Sequence, residues 1–426
     1  MAHYHLHVST ATRDTHRHTP ALCSIIQPPL SMTTPAVGTA TAIIAAALLV
    51  LAAAAAVLCS SATGEDESAA VGRGRPVVPA MYVFGDSLVD AGNNNFLPPP
   101  APKAVPPNGI DLPLTVFPRA GRCTNGYNLA DIIAQHLGFK MSPPAYLSLT
   151  PLSSIDLLRG RGGANYASGG SGILDITGNG TITLRKQVEL FAETKATIIR
   201  TGLVDRERLD DLLARSLFLI STGGNDFDAF DGDDGVPMSQ APEFIAGMVA
   251  DYLKYINELY KLGARRLSLL NIVPVGCLPS QRAITANGEC DAKGNSLSQM
   301  FNALLRTEMA KAVVASMPFL KYSIASLYNT YSDMIANPAL AGLREVKRGC
   351  CGGGKFNGEV VCTMASSLCG NRDEYLFWDM VHGTQEAYRW AVLSFFHGST
   401  RDAEPINLAQ LMQEPLSMAT APYSSI

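Results

Sequence analysis

The sequence predicts an α/β fold in which a parallel sheet is covered by helices on both faces. Strand-length runs of β-branched and apolar residues alternate with longer segments that carry apolar residues at helical spacing. Two of the clearest strand-like runs end at glycine, where the chain turns into a more polar segment. Apolar residues make up 47% of the 426 residues, which is enough to bury a large core.

Five segments have the composition of strands. The clearest ends at Gly85, and a second, Ser-Leu-Phe-Leu-Ile-Ser-Thr, ends at Gly223. A third stops at Pro274 and Gly276, because proline cannot donate a hydrogen bond to a neighbouring strand. The predicted strands are 76–84, 164–167, 216–222, 266–275 and 321–327.

Helices are predicted between these strands. The first carries apolar residues every three or four positions and stops at Gly138. The predicted helices are 128–137, 184–199, 242–262, 297–317, 328–336 and 384–395, and the proline-rich stretch 96–118 is predicted to be a surface loop. Parallel strands joined by helices have right-handed connections, and ligands bind beyond the carboxyl ends of such strands.

Charge and composition exclude several classes of function. Charged residues are 16% of the chain, the net charge is −4, and no run is rich in Lys or Arg, so nucleic acid is not an expected partner. The acidic stretch 227–235 lacks the ligand spacing of an EF-hand and is predicted to be a solvated loop. After residue 62 no segment is long and apolar enough to span a membrane, so no stable span is expected in the mature protein.

The first part of the chain is predicted to be an N-terminal extension with a secretory signal peptide over 1–64, followed by a single domain over 65–426. An uncharged apolar run over 41–59 is followed by small residues suited to cleavage, up to Ala62. Met32 is a second candidate start, because a signal that begins there has a typical length. The alternative is an uncleaved membrane anchor, but the alanine-rich run is only weakly hydrophobic. We therefore expect a secreted, extracellular protein.

Cysteine usage fits a secreted chain. Seven of the nine cysteines follow the leader and four of these fall within twenty residues, which predicts a local disulfide cluster. A zinc site is the alternative, but the adjacent pair at 350–351 lacks the usual ligand spacing. Cys277 and Cys290 can close a short loop, which leaves Cys123 as the odd one and a candidate free thiol. A sequon for N-glycosylation begins at Asn179, in a glycine-rich, loop-like stretch.

Four short motifs together supply the groups that acyl transfer at an ester needs: a nucleophile, a base, an orienting carboxylate and oxyanion donors. Each motif has a plainer structural interpretation by itself, but all four in this order are a specific signal. The motifs are Gly85-Asp86-Ser87-Leu88, Ala167-Ser168-Gly169-Gly170, Gly223-Gly224-Asn225-Asp226 and Asp379-Met380-Val381-His382.

Ser87 and His382 are the predicted nucleophile and general base. Ser87 follows a strand and a glycine and is placed near the start of a helix, where free N–H groups stabilise negative charge; helix capping is its alternative role. Asp379 can reach the Nδ1–H of His382 and fix its tautomer, although a surface pair is the alternative. The other histidines after the leader, His136 and His397, have no carboxylate at a useful local spacing.

Asn225 and Gly169 are the predicted oxyanion donors, together with the amide of Ser87. Asn225 follows a strand and two glycines that let the backbone pass close to a ligand, and its side-chain amide can donate. A turn asparagine is the alternative role for Asn225. Gly163 or Gly170 could equally supply the backbone N–H assigned to Gly169.

These motifs resemble those of the plant-type GDSL esterases/lipases in the SGNH hydrolase superfamily. The resemblance is carried by 84–95 (Phe-Gly-Asp-Ser-Leu-Val-Asp-Ala-Gly-Asn-Asn-Asn), 163–172, 221–226 and 377–382, and it extends over about 78–396. It implies a flavodoxin-like three-layer α/β/α fold, the SGNH hydrolase fold, and no metal or organic cofactor. It also implies catalytic residues Ser87, Asp379 and His382, and an oxyanion hole of Ser87, Gly169 and Asn225.

Two positions depart from the pattern of that family. Gly383 follows the histidine where the family usually has proline, and this predicts a less rigid histidine loop. Cys123 stands where an aromatic residue is usual, which agrees with a free thiol. Asp86 has an open role, of which bracing the turn through backbone hydrogen bonds is the simplest.

The predicted protein is a secreted serine hydrolase that cleaves carboxylic esters, of lipids or other acyl compounds, through an acyl-serine intermediate. Its expected partner is a small-molecule or lipid ester. Two alternatives remain open at this point. One is an acyltransferase in which an alcohol replaces water at the same site, and the other is a non-catalytic carbohydrate- or lipid-binding protein on the same scaffold.

Overall fold

A six-stranded sheet forms the centre of the fold in the computed structural model, which describes residues 76–115, 121–230 and 235–415. The predicted leader within 1–64 lies outside the described residues, as do residues 231–234 of the acidic stretch. The strands in chain order are β1 (Ala80–Gly85), β2 (Gly162–Asn165), β3 (Leu217–Ser221), β4 (Arg266–Leu270), β5 (Lys321–Ala325), β6 (Glu345–Gly349), β7 (Cys351–Gly352), β8 (Ser367–Leu368), β9 (Tyr375–Phe377) and β10 (Ala403–Glu404).

The order of the central sheet is β10-β5-β4-β3-β1-β2. β1 to β5 are parallel, and β10 pairs antiparallel with β5 at one edge. Parallel strands need long crossover connections, which here contain helices. The helices are α1 (Leu129–His136), α2 (Ile155–Leu158), α3 (Leu184–Thr201), α4 (Arg206–Arg215), α5 (Ala241–Lys261), α6 (Pro279–Ile284), α7 (Ala292–Ser316), α8 (Leu327–Ala336), α9 (Gln385–His397) and α10 (Leu408–Gln413).

The sheet separates two hydrophobic cores, because successive side chains of a strand point to opposite faces. Tyr82 and Phe84 of β1 pack with α3, α4, α5 and α7 on one face. Met81 and Val83 pack with α1, α8, α9 and α10 on the other. These two helical layers around the sheet confirm the predicted three-layer α/β/α fold.

The predicted elements are present, but several of them begin or end at other residues than predicted. Contacts to residues outside the predicted segments explain two of these differences. The predicted strand 266–275 ends at Leu270, because Asn302 of α7 accepts from the N–H of Ile272 at 2.9 Å and donates to its carbonyl at 2.8 Å. The predicted helix 297–317 begins at Ala292, since the Asp291 side chain caps it. Strand 164–167 is found two residues earlier, as β2.

Sequence reasoning missed helices α2, α4, α6 and α10, strand β10 and the two small strand pairs. α4 is highly charged, so the helical spacing of its apolar residues is hard to recognise. The Asp205 side chain nevertheless caps the helix, and its own Leu209, Leu212 and Leu213 are buried. The small pairs are β6 with β9 and β7 with β8. They are only two to five residues long, which is too short for an alternating pattern to be recognised.

Three disulfides confirm the predicted cysteine cluster. Their pairs are Cys277–Cys290, Cys350–Cys369 and Cys351–Cys362, and Cys123 is the one free cysteine within the described ranges. The zinc interpretation of the four clustered cysteines is therefore wrong, because all four sulfurs are bonded in pairs.

A buried ion pair ties the loop after β1 to α1, and its removal should cost much stability. Arg122 contacts both carboxylate oxygens of Asp131 at 2.9 and 3.0 Å, and their side chains are 7% and 0% exposed. Replacing Arg122 by Met leaves a buried carboxylate without its cation, so we expect the free energy of unfolding to fall by about 3–5 kcal/mol. Urea titration under non-reducing conditions measures this loss.

The matched control for this prediction is Arg401→Met. Arg401 pairs with Asp333 at 2.7 Å, but its side chain is 55% exposed. Exposed pairs contribute about 0–1 kcal/mol, so the control should lose far less stability. Equal losses in the two variants would contradict a special role for the buried pair.

Candidate active site

The predicted site residues meet beyond the carboxyl ends of the parallel strands. Ser87 follows β1 by two residues, and Asn225 follows β3 by four. His382 lies near the other end of the sequence and follows β9 by five residues. All three line one cleft of about 300 Å³.

Ser87 is presented on a tight turn that only glycine at position 85 permits. Gly85 has φ 132°, and a Cβ atom there would lie 1.9 Å from the carbonyl oxygen of Ser221 on β3. The turn then closes through Asp86, whose carboxylate accepts from the N–H of Leu88 at 3.0 Å. The segment over 86–90 is a turn, so the expected helix start at Ser87 is wrong. The N–H of Ser87 has no acceptor among the residues that the structure describes.

A continuous hydrogen-bonded chain joins the hydroxyl, the imidazole and the carboxylate. His382 Nε2 lies 2.8 Å from Ser87 Oγ, and its Nδ1 lies 2.8 Å from Asp379 Oδ2. Asp379 Oδ1 also accepts from the N–H groups of Val381 and His382, at 2.9 and 2.8 Å. The Asp379 carboxylate is therefore fixed by the backbone of residues 381–382, and it orients the imidazole of the same segment.

The surroundings of Asp379 and His382 favour a negative carboxylate next to a positive imidazolium. Burial alone would raise the pKa of Asp379, but His382 and the two backbone N–H groups hold it below its usual value. Burial would lower the pKa of His382, and the Asp379 carboxylate outweighs this, with help from Asp86, so that the pKa is raised. An imidazolium formed at His382 is thus stabilised where it stands.

The remaining two histidines after the leader lie away from this chain of contacts. His136 stacks on Phe396 with ring centroids 4.8 Å apart, and His397 ends α9. Neither of them lines the cleft.

The predicted oxyanion donors differ in whether their N–H groups already have an acceptor. Asn225 Nδ2 donates one hydrogen to the carbonyl of Ser171 at 2.9 Å, which orients the amide and leaves its second hydrogen over. Gly169 is adjacent to Ser87, since a Cβ at Gly169 would lie 3.5 Å from the Cβ of Ser87. Its N–H, however, donates to Asp90 Oδ2 at 3.1 Å.

The two alternative glycine donors have other surroundings. Gly163 lies within β2, where a Cβ would meet the backbone of Met81. Gly170 faces Pro102 and Thr181, with a Cβ 3.3 Å from the proline ring. Of the three glycines, Gly169 is the one whose surroundings include Ser87.

Sequence reasoning missed the polar network that holds the Gly169 loop. Asn93 Nδ2 donates to the carbonyls of Asn165 and Ala167, both at 2.8 Å, and Asn94 Nδ2 donates to that of Gly169 at 2.7 Å. The sequence does carry a signal for this network, because three consecutive asparagines end the segment 84–95. Burial raises the pKa of Asp90 to about 6, against the opposing effect of the N–H groups it accepts from.

Both apolar and polar side chains line the cleft. The apolar ones are Phe227, Val273, Val275, Leu278 and Leu297. The polar ones include Ser280, Gln281, Asp228, Asp291 and Lys293. The Cys277–Cys290 disulfide links the loop after β4 to the start of α7, so the segment that carries part of this lining is covalently braced.

The residues that the structure describes contain no group of three or more His, Cys, Asp or Glu arranged to hold a metal ion.

Comparison with known proteins places this chain in a family. The model for GDSL-like lipase/acylhydrolase matches residues 81–395. The chain is similar to three Arabidopsis thaliana proteins: GDSL esterase/lipase At4g28780 (37% identity, 78% of this chain and 90% of the relative), GDSL esterase/lipase LTL1 (36%, 78% and 90%) and GDSL esterase/lipase At4g16230 (35%, 78% and 91%). The chain therefore belongs to the GDSL-like lipase/acylhydrolase family, and it is a carboxylic ester hydrolase.

Proposed function

We propose that this esterase works through an acyl-serine intermediate formed at Ser87. The supporting observation is the continuous chain from Ser87 Oγ to Asp379 through His382, with both end contacts at 2.8 Å. His382 accepts the hydroxyl proton as Ser87 Oγ attacks the ester carbonyl, and it then gives that proton to the leaving alcohol. Water, activated by the same imidazole, hydrolyses the acyl-enzyme and regenerates Ser87.

The oxyanion is held in this proposal by the N–H of Ser87 and the second hydrogen of Asn225 Nδ2. Gly169 is the third donor, but its N–H must exchange the Asp90 carboxylate for the oxyanion. That exchange replaces one negatively charged acceptor by another, and Asp90 keeps the N–H groups of Gly92 and Asn93 as donors. Each such donor is worth about 10²–10³ in turnover.

The size of the cleft favours esters with short or medium acyl chains. Its volume of about 300 Å³ lies at the lower end of the range for small-molecule sites. We expect kcat/KM for p-nitrophenyl esters to be highest between acetate and octanoate and to fall towards palmitate. The series is measured with wild-type protein and with the Ser87→Ala variant as the blank.

The same series separates the alternatives. A specificity that rises continuously to palmitate would contradict the size argument, and folded protein inert on every ester would contradict serine hydrolysis on these substrates. An added alcohol that diverts most of the acyl group from acid to new ester would favour the acyltransferase. Failure of a fluorophosphonate to label folded protein would favour a binding protein instead.

Secretion is proposed from the cysteines and the surface. Three disulfides form and persist in oxidising compartments, and Asn179 of the glycosylation sequon is exposed. None of the helices within the described ranges has the length and apolar character to cross a membrane. The proposed organisation is a signal peptide within 1–64 and one hydrolase domain over 65–426. N-terminal sequencing of protein recovered from culture medium tests it, and a retained leader would contradict it.

A further inference from the structure

The residue that follows the catalytic histidine is held by two side chains from separate parts of the fold. The N–H of Gly383 donates to the phenol oxygen of Tyr388 on α9 at 3.0 Å. Its carbonyl accepts from Thr124 Oγ1 at 2.8 Å. Gly383 is buried, so these two partners replace the water that would otherwise satisfy its backbone.

The peptide unit between His382 and Gly383 is bonded at both of its edges. The carbonyl of His382 accepts from the N–H of Trp378 at 2.8 Å, while the N–H of Gly383 is held by Tyr388. On the other side of His382, its own N–H donates to Asp379 Oδ1. Both peptide units that flank the imidazole are therefore fixed, and Tyr388 supplies one of those contacts.

Tyr388 lies beside a second phenol. The hydroxyl of Tyr331 on α8 and the ring of Tyr388 both lie against Gly383. The two residues are 1% and 2% exposed. Burial raises the pKa of both phenols, so both remain neutral hydroxyl groups at any ordinary pH.

This pair also explains why glycine occupies position 383. A Cβ atom there would lie 2.3 Å from Tyr331 Oη and 2.8 Å from Tyr388 Cε1. Proline would in addition remove the N–H that Tyr388 accepts from. The conformational freedom that glycine brings to the histidine loop is thus offset by direct contacts to the two tyrosines.

We propose that Tyr388, beside Tyr331, is a positioning residue that fixes the His382–Gly383 peptide and thereby keeps the imidazole in reach of Ser87. The proposal rests on the proposed function, because it assigns Tyr388 a role only through His382. Without the phenol oxygen, the N–H of Gly383 is buried and unpaired, and the peptide unit can rotate to find another acceptor. The imidazole moves with that peptide.

The test is Tyr388→Phe, which removes the hydroxyl and keeps the ring. We expect kcat to fall by about tenfold with KM unchanged, because a displacement of about 1 Å can cost up to ~10²-fold when only the transition state senses it. Tyr82→Phe is the matched control. Its hydroxyl is also fully buried, on β1, but has no hydrogen-bond partner among the described residues, so kcat should not change.

Tyr331→Phe is the second variant. It removes the hydroxyl that lies beside Gly383 but leaves the bond from the Gly383 N–H to Tyr388, so kcat should fall less than in Tyr388→Phe. If Tyr388→Phe does not fold, as judged by its thermal unfolding transition, Tyr331→Phe carries the test alone.

The outcomes are distinct. Equal kcat in Tyr388→Phe and Tyr82→Phe, or in the fallback Tyr331→Phe and Tyr82→Phe, would overturn the positioning role while leaving the serine mechanism intact. A rise in KM with constant kcat would also overturn it, because that pattern indicates a binding effect. A wild-type protein that neither hydrolyses esters nor reacts with fluorophosphonate would instead overturn the proposed function, and the positioning role with it.

Discussion

Replacing Ser87 by Ala should lower kcat for ester hydrolysis by about 10⁶-fold, the loss found when a serine hydrolase loses its nucleophile. The hydroxyl is the one group in the cleft that lies within hydrogen-bond distance of His382 Nε2, among the residues described. Without it no acyl-enzyme forms, and only the oxyanion donors and binding remain to accelerate attack by water. The measurement is the initial rate on the best p-nitrophenyl ester.

The effects of replacing Ser87 and His382 should not be additive, and this gives a second test. In the proposed mechanism Ser87 and His382 act as one unit, so His382→Ala and the double variant should each lose about as much as Ser87→Ala alone. Ser394→Ala is the control, because that hydroxyl bonds the carbonyl of Trp390 within its own helix. Losses that multiply in the double variant, or fluorophosphonate labelling that persists in Ser87→Ala, would place the nucleophile elsewhere.

Replacing Asp379 by Asn should lower kcat by about 10⁴-fold and move the acid limb of the pH profile. An amide can present its NH₂ to Nδ1 and so favour the wrong imidazole tautomer. The variant also loses the carboxylate that raises the pKa of His382, so burial dominates and the pKa falls. Since His382 accepts a proton only when neutral, activity is lost as the pH falls through its pKa. The acid limb of kcat should therefore lie at lower pH in the variant.

The pH profile of kcat from pH 4 to 9 checks the second part of that prediction. Asp333→Asn is the matched control, because Asp333 makes an exposed ion pair with Arg401. Its profile should coincide with that of the wild type. An acid limb that stays in place in Asp379→Asn would mean that another group controls it, and Asp86, whose pKa burial raises to about 7, is the first to examine.

The candidate site could be predicted because its chemistry is concentrated in short motifs. Asp379 and His382 are three residues apart, so their contact is local and can be expected from spacing. Ser87 and His382 are 295 residues apart, and only the motif order and the ends of the strands indicated that they meet. Whether their atoms lie in reach depends on the sheet order, which the sequence does not contain directly.

What could not be predicted depends on contacts between distant residues. The bond from Gly169 to Asp90 occupies an amide that motif reasoning treats as free, and it follows from the packing of two loops. Gly383 was expected to loosen the histidine loop, but the tyrosine that contacts it lies on a helix whose orientation is set by the core. The early end of β4 similarly depends on Asn302, which lies thirty residues after Ile272, the residue that it bonds.

The free thiol at Cys123 allows local opening of the fold to be measured by chemical labelling. Burial raises its pKa, so in the folded protein it is held as an unreactive, half-buried thiol next to Arg122. The six other cysteines within the described ranges are joined in disulfides and do not compete for a thiol reagent. In protein from which the proposed leader has been removed, a pulse of such a reagent therefore modifies this one position whenever the loop around the Arg122–Asp131 pair opens. The modified fraction, measured by mass spectrometry, therefore reports how often this loop opens under native conditions without any denaturant.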